Sequence, residues 1–404
     1  MSNTASHLAA LPERPGIRSV LWFLPTTGDS RYVGSDIGAR SPTFDYLTQV
    51  ARAADTLGYD GMLVPSGRWC DDPWVCTTAI APFTRRTDFL IALRPGLISP
   101  VIAARMVAAL DRLTEGRVRM MIVPGGDPRE LAADGLHLGH AERYAMTDEW
   151  LTVLRRVLTE PEVTFEGKYV HVVEARCPYP AVQRPHPPIY LGVSSPAGIR
   201  VAARHADVLL SWGERPDQVA DKIAQVKREA ADLGRTLRFG LRTHIIVRET
   251  EAEAWRDADE LIKYVDDDMI ARQQTYYAGM DSAGQQRMSA LHGGHRDRLR
   301  IGPNLWAGVG LVRGGCGTAL VGSPENIVKQ LVPYEDLGID SLVLSGYPHL
   351  EEAYRTAELL FPALPGWTKP DPLNVPGLRA VAAFADPGRR LDAPSASAAV
   401  NPPV

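Results

Sequence analysis

A chain of 404 residues with a formal net charge of −4 is long enough to bury a large core and lacks the charge excess that nucleic acid or an anionic membrane selects. Its four cysteines, Cys70, Cys76, Cys177 and Cys316, are scattered without metal-ligand spacing, so no cysteine metal centre is expected. The opening stretch MSNTASHLAALPERPG has no basic start followed by an apolar run, and no segment is long enough to span a bilayer. A cytoplasmic chain with reduced thiols is expected.

After a flexible leader over residues 1–18, residues 20–26 (VLWFLPT) read as a first strand that ends in the loop Thr27-Gly28-Asp29. Residues 44–57 have helical spacing through Leu47, Val50, Ala54 and Leu57, and Gly58 stops them. A strand at 62–65 precedes SGRWCDDPW, where Asp72-Pro73 opens a helix to Ala81. Strands at 89–93 and 117–123 flank a helix over 99–113, and the fourth strand runs into the loop PGGDPREL. A helix over 142–158 leads to a hairpin, VTFEGKYVHV, with Glu166-Gly167 at its turn.

The alternation resumes with a strand at 189–192, a helix at 196–205, a strand at 208–212, a helix ending at Leu233 and a strand at 237–247. A charged helical stretch covers 251–277. Residues 279–317, rich in Gly, His and Arg with little periodicity, read as a long mobile functional loop. A helix over 323–337, an eighth strand at 341–344 and a helix over 349–360 complete the pattern, and a Pro- and Ala-rich tail runs from 365 to 404. Eight strands alternating with helices predict a closed (β/α)8 TIM barrel with insertions over residues 19–364. An open doubly wound sheet fits less well, because no Gly-rich dinucleotide turn follows the first strand.

The strand LRFGLRTHIIV holds the most pointed chemistry. Arg242 and His244 are two residues apart, so they project from one face, with Leu241 and Thr243 on the other. A guanidinium and an imidazole inside an apolar strand need an anion, either an internal carboxylate or a bound ligand. Barrel active sites lie at the C-terminal strand ends. Those ends bring Thr26 and Thr27, residues 66–70, Arg94, residues 125–127, Ser194 and Ser195, Trp212, Arg242 with His244, and Tyr347 with His349 to one rim. Arg with His suits the tetrahedral oxygens of a sulfonate or phosphate, and Trp212 supplies a flat wall or cation–π partner. Ser194-Ser195, just before a helix, reads either as a second anion site or as an ordinary N-cap. Two anion sites on one rim suggest a phosphorylated cofactor and an anionic substrate.

The motifs WFLPTTGD, GRWCDD, ALRPGLISPVIAARM, DPRELAADG, HAERY, SWGE, RFGLRTHIIVRET, SAGQQRM, PNLWAGVGLVRGG, GTALVG and DSLVLSGYPHLEEAYR closely resemble, in order and spacing over residues 20–364, the FMNH2-dependent alkanesulfonate monooxygenases of the bacterial luciferase-like flavin superfamily. The resemblance implies a barrel that takes reduced FMN from a separate NAD(P)H-dependent FMN reductase. With O2 it would cleave the C–S bond of an organosulfonate to sulfite and an aldehyde, in a homo-oligomer (dimer or tetramer). By the same resemblance Arg242 and His244 match the sulfonate pair, Trp212, Tyr347 and His349 match other pocket positions, and Cys70 matches a cysteine near the flavin. Tyr144 and Ser195 match the region holding the FMN phosphate, and Arg313 matches the arginine of a loop that closes over the flavin. Gly314-Gly315 beside it offer hinge freedom. Either Arg242 or His244 could move the proton. Cys70 also reads as a small buried hydrophobe, and Tyr347 and His349 as caps of the last helix.

Three positions depart from the family pattern. Thr27 stands where close relatives commonly carry histidine, and Met121 and Pro124 stand where Asn and Thr usually lie beside the flavin. A threonine at the mouth of the first strand would open room for a hydroxylated substrate, which makes a sulfosugar such as sulfoquinovose the alternative substrate. An oxidoreductase using the deazaflavin F420 is the alternative on the same fold, and a non-catalytic sulfonate binder is another.

Overall fold

Strand pairing decides the architecture of this computed structural model, which describes residues 16–366. The first four strands, β1 (Ser19–Phe23), β2 (Gly61–Val64), β3 (Asp88–Leu93) and β4 (Val118–Ile122), pair in parallel in chain order. After a separate antiparallel hairpin, β5 (Val163–Glu166) with β6 (His171–Ala175), the barrel continues through β7 (Ile189–Leu191), β8 (Val208–Trp212) and β9 (Arg238–Val247). Three short strands follow, β10 (Arg300–Gly302), β11 (Leu305–Trp306) and β12 (Ala319–Gly322), and then β13 (Ile339–Ser345). β13 pairs with both β9 and β1, and the eight-stranded (β/α)8 barrel closes.

The alternation of strand side chains sorts the core. Val20, Trp22 and Leu24 face the surrounding helices, while Leu21 and Phe23 join Leu63, Leu90, Tyr190, Val208, Leu210 and Val343 inside the barrel. Parallel strands covered on both faces are buried throughout, which is why their sequences are nearly continuous apolar runs. Local signals set the helix ends. Asp72 caps Pro73–Ile80 by accepting from Trp74 N (2.9 Å) and Val75 N (2.8 Å), and Gly58 ends Phe44–Leu57 in the left-handed region, at φ 93°.

β9 is twice as long as most barrel strands, and one of its edges serves two partners in turn. Its lower part pairs with β8 up to Trp212 opposite Arg242; from His244 onward β12 takes over that edge. The fork between β8 and β12 opens beside Arg242 and His244.

Four sequence expectations change. Ile17 and Arg18, assigned to the leader, already pack on the barrel: Ile17 is buried and Arg18 N donates to Asp340 O (2.7 Å), although β1 itself begins at Ser19. The stretch 251–277 is two helices, Glu251–Leu261 and Asp267–Ala278, the second capped by Asp266. The loop PGGDPREL contains a helix, Pro128–Ala133, capped by Asp127. Residues 279–317 are mostly ordered as the helix Ala283–His292 followed by β10, β11 and a 3-10 turn at Gly308–Leu311. Trp306, Val309 and Leu311 are buried against Ala254, Trp255 and Ile270, so this segment has its own apolar core. The longest stretch without helix or strand there is 312–318. The rest of the leader, and the tail beyond Gly366, lie outside the described residues. Among the described residues no helix is long and apolar enough to cross a membrane.

Candidate active site

The fork above β8 exposes one face of β9 to the barrel mouth, and Arg242 and His244 project from it. Both are almost fully buried, at 4% and 1% exposure. Arg242 Nη2 donates to Ser345 Oγ (2.9 Å) and Nη1 to Thr243 O (2.7 Å). Ser345 Oγ lies 2.7 Å from His244 Nδ1, and His244 Nε2 lies 3.0 Å from Cys316 O. A carbonyl only accepts, so Nε2 carries the proton and donates to Cys316, which makes Nδ1 the acceptor of the Ser345 hydroxyl. Ser345 therefore joins the guanidinium to a neutral imidazole. Burial pushes the imidazole far below its ordinary range, and the charges of Arg242, Arg313 and His349 push in the same direction.

Among the described residues no carboxylate pairs with Arg242. Its guanidinium sits 5.0 Å from the centre of the Phe23 ring, and that of Arg313 sits 5.6 Å from the same ring. Arg313 likewise forms no ion pair with a described residue; its Nη1 donates to Gly314 O (3.3 Å). Burial lowers Arg242 from 12.5 to about 10, with Arg313 adding to the effect. Two guanidiniums converging on one ring without a carboxylate form a site that attracts an anion. The Tyr277 hydroxyl and both ring nitrogens of His349 are buried without an aligned hydrogen-bond partner among the described residues, and the Tyr347 ring stacks on His244 at 5.6 Å.

The irregular segment 312–318, which carries Arg313, is tied down at its far end. Gly315 N donates to Gln285 Oε1 (2.8 Å), and Cys316 Sγ donates to Arg242 O (2.9 Å). Gln285 belongs to Ala283–His292, and Arg287 of that helix bonds Glu214, whose buried carboxylate also takes Lys222 Nζ (2.6 Å). This clamp fixes the helix to the barrel and sets Gly284 against Trp212, where a side-chain carbon would come within 3.0 Å of the indole.

Beside Trp212 a cleft of about 690 Å³, including its open mouth, is lined by Pro124, Gly125, Tyr144, Ser194, Ser195 and Ser282 among others. Ser195 Oγ accepts from Gly198 N (3.2 Å) and caps Pro196–His205, so the N-cap reading of Ser195 holds. Tyr144 packs over that first turn, and its phenol is raised by burial, with the Ser195 hydroxyl opposing the shift. The cleft floor is glycine-rich. Gly125, at φ 86°, takes a left-handed turn that a larger residue would strain.

A family model described as luciferase-like monooxygenase matches residues 19–341. The chain belongs to the luciferase-like monooxygenase family. Solved structures similar to this luciferase-like monooxygenase include DmoA from Hyphomicrobium sulfonivorans, at 19% identity over 87% of this chain and 88% of that one, with a TM-score of 0.70. Riboflavin lyase RcaE, solved with a modified FMN and riboflavin as substrate, gives 18% identity over 88% and 94% of the two chains and a TM-score of 0.71. Long-chain alkane monooxygenase LadA gives 20% identity over 87% and 91%, with a TM-score of 0.70. These likenesses establish the fold.

In this family member the expected residues Arg242, His244, Arg313, Tyr347 and His349 come together around Phe23, while Trp212, Tyr144, Ser194 and Ser195 line the adjoining cleft. Cys70 is half-buried below Thr26; burial raises its thiol, opposed by Thr26 and the charge of Arg313. Thr27 is not brought in. It is exposed, its hydroxyl donates to Gly28 O (2.9 Å), and the buried residue is Thr26. Met121 packs among the barrel interior residues, and Pro124 lines the cleft. Sequence reasoning missed Phe23, Tyr277, Ser345 and the Glu214 clamp. For Ser345 the signal was available: it precedes Gly346-Tyr347 at the end of the last strand.

Residues around His349 form a second buried network. The Asp29 carboxylate, fully buried, accepts from Arg40 Nε (3.0 Å) and Nη2 (3.1 Å), Tyr46 Oη (2.5 Å) and His349 N (2.7 Å). His349 Nδ1 lies 3.4 Å from the same carboxylate, an ion-pair distance off the hydrogen-bond line. Burial raises Asp29, but the bonds from His349, Arg40 and Tyr46 outweigh it and hold the carboxyl well below the usual range.

Proposed function

We propose that this luciferase-like monooxygenase uses reduced FMN and O2 to oxygenate an organosulfonate of the alkanesulfonate type at the carbon bearing sulfur, releasing sulfite and an aldehyde. The observation that carries the reading is the pair of guanidiniums, Arg242 and Arg313, over Phe23 with no carboxylate partner among the described residues. A sulfonate offers three oxygens to two arginines and the Tyr277 hydroxyl. The barrel alone does not select such a substrate, since LadA, named for a long-chain alkane, shares it.

The cleft fits a flavin nucleotide. Hydroxyls of Tyr144, Ser194 and Ser195 with the N-terminus of Pro196–His205 would hold the phosphate, and the glycine-rich floor leaves room for the ring system. Trp212 and Cys70 would flank it. Bound reduced FMN supplies the two electrons that activate O2, and a separate NAD(P)H-dependent FMN reductase replenishes it. Arg242 holds the sulfonate, and neutral His244, fixed between Ser345 and Cys316, keeps that guanidinium aimed. Arg313 closes the segment 312–318 over the site and excludes water, with Gly315, at φ 84°, as its hinge. Because Thr27 is exposed and bonded to its own loop, the sulfosugar alternative loses the contact that motivated it. The test is a set of omissions with octanesulfonate and a flavin reductase: sulfite is expected only when reduced FMN, O2 and sulfonate are all present. Equal sulfite release under strict anaerobiosis would refute the reading.

A further inference from the structure

We propose that Asp29 positions His349 as the base that completes C–S cleavage, an inference that rests on the organosulfonate reading above. Once the carbon bearing sulfur is hydroxylated, the remaining step is a fragmentation. The hydroxyl O–H bond breaks and its electron pair forms the carbonyl, while the C–S pair leaves with sulfite. The proton goes to a base, and no oxidant or reductant is consumed.

Three groups near the sulfonate site could take that proton, and the geometry singles out one. His244 has no free nitrogen, since Nε2 donates to Cys316 O (3.0 Å) and Nδ1 accepts from Ser345 Oγ (2.7 Å). Arg242 is committed to Ser345 and Thr243 and is needed as a cation to hold the sulfonate. His349 remains. Its ring is buried between Phe23 (5.6 Å) and Tyr347 (5.0 Å), next to the two arginines, and Nε2 has no partner among the described residues.

Asp29 supplies what a base of this kind requires. A carboxylate beside Nδ1 fixes the proton on that nitrogen and leaves the Nε2 lone pair for the substrate; it also stabilises the imidazolium formed on proton uptake. The 3.4 Å separation is of the length seen before a bound substrate tightens such contacts. The arrangement is over-determined: Arg40 is gripped in turn by Glu351 (3.0 and 2.8 Å), and the backbone N–H of His349 itself donates to Asp29 (2.7 Å). The first loop and the last helix are thus joined at a carboxylate that faces His349. Burial, reinforced by Arg313 and Arg242 and opposed by Asp29, keeps His349 below its ordinary range and therefore unprotonated near neutrality.

The experiment pairs a spectroscopic readout with kinetics on the full-length protein. In 15N-histidine-labelled enzyme, with the His349 resonance assigned from His349→Gln, the Nδ1–H tautomer is expected. In Asp29→Asn the population should shift toward Nε2–H. With flavin reductase and octanesulfonate, Asp29→Asn should lower kcat by ~10²–10³-fold while KM stays within about threefold, as for loss of an orienting carboxylate. A kcat within threefold of wild type, or an Nε2–H tautomer in the wild-type protein, would overturn the proposal. If Asp29→Asn does not fold, the wild-type tautomer and the kcat of His349→Gln decide, with a ~100-fold loss at unchanged KM expected and near-normal turnover contradicting it. Should wild type release no sulfite from any sulfonate, the organosulfonate reading fails, while the tautomer still reports whether Asp29 holds His349.

Discussion

Replacing Arg242 with methionine should make the ligand-free protein more stable while removing its activity. The guanidinium is buried with no carboxylate partner among the described residues, and burial lowers its pKa from 12.5 to about 10. At ~1.4 kcal/mol per pH unit, that is roughly 3 kcal/mol against the charged form in the fold. The sign follows: a cation whose folded pKa is depressed destabilises the fold at every pH below about 10, and only more alkaline conditions relieve it. Methionine removes this cost but leaves the Thr243 carbonyl without its donor, an offset of about 1 kcal/mol. The net gain is about 2 kcal/mol. For 404 residues at ~2.1 cal/mol/K per residue, the unfolding entropy is ~0.85 kcal/mol/K, so Tm should rise by about 2 °C. Differential scanning calorimetry measures that shift, and sulfite release measures activity, which should fall by ~30-fold or more for loss of a buried charged contact worth at least ~2 kcal/mol. A Tm lowered by several degrees would mean that the guanidinium is internally satisfied, and the inference of an anion site would collapse.

Arg313→Ala should leave the fold intact, raise peroxide release and lower the sulfite formed per O2 consumed; unchanged coupling would remove segment 312–318 from the mechanism. Thr27→His, at an exposed position, should change kcat/KM for octanesulfonate by less than about twofold, and a tenfold change would put this residue back in the pocket. Glu214→Gln leaves Lys222 buried without its carboxylate and should cost ~3–5 kcal/mol in urea unfolding; a loss below 1 kcal/mol would show that the clamp is dispensable. His292, lowered from 6.5 to about 4 chiefly by burial, stays neutral in the fold while the unfolded chain takes up a proton. Stability should therefore fall as pH drops from 6.5 toward 4, and His292→Asn should flatten that slope by about one proton, as read from urea midpoints.

The barrel was legible because its strands are apolar runs separated by helical spacing, and all eight were placed to within a few residues. Arg242 and His244 were legible as sharing one face because side chains two apart on a strand point the same way, whereas the strand alone did not say whether an internal carboxylate would meet them. Thr27 was misassigned for a reason of register: β1 ends at Phe23, and in the irregular turn beyond it the buried side chain is Thr26. Residues 279–317 hid their order because β10 and β11 hold three and two residues, too short for any periodicity to emerge. Ser345, Cys316 and Asp29 act through contacts across 101, 72 and 320 residues of sequence, and local pattern carries no trace of such pairings.

The most direct test of the account follows the oxygen atom. A single turnover of reduced-FMN-loaded enzyme with octanesulfonate under 18O2, with the aldehyde trapped at once by borohydride, gives an alcohol whose mass reports where its oxygen came from. One 18O in the octanol and one sulfite per octanol formed are expected. Octanol carrying only solvent oxygen, with sulfite released all the same, would contradict oxygenation at the carbon bearing sulfur.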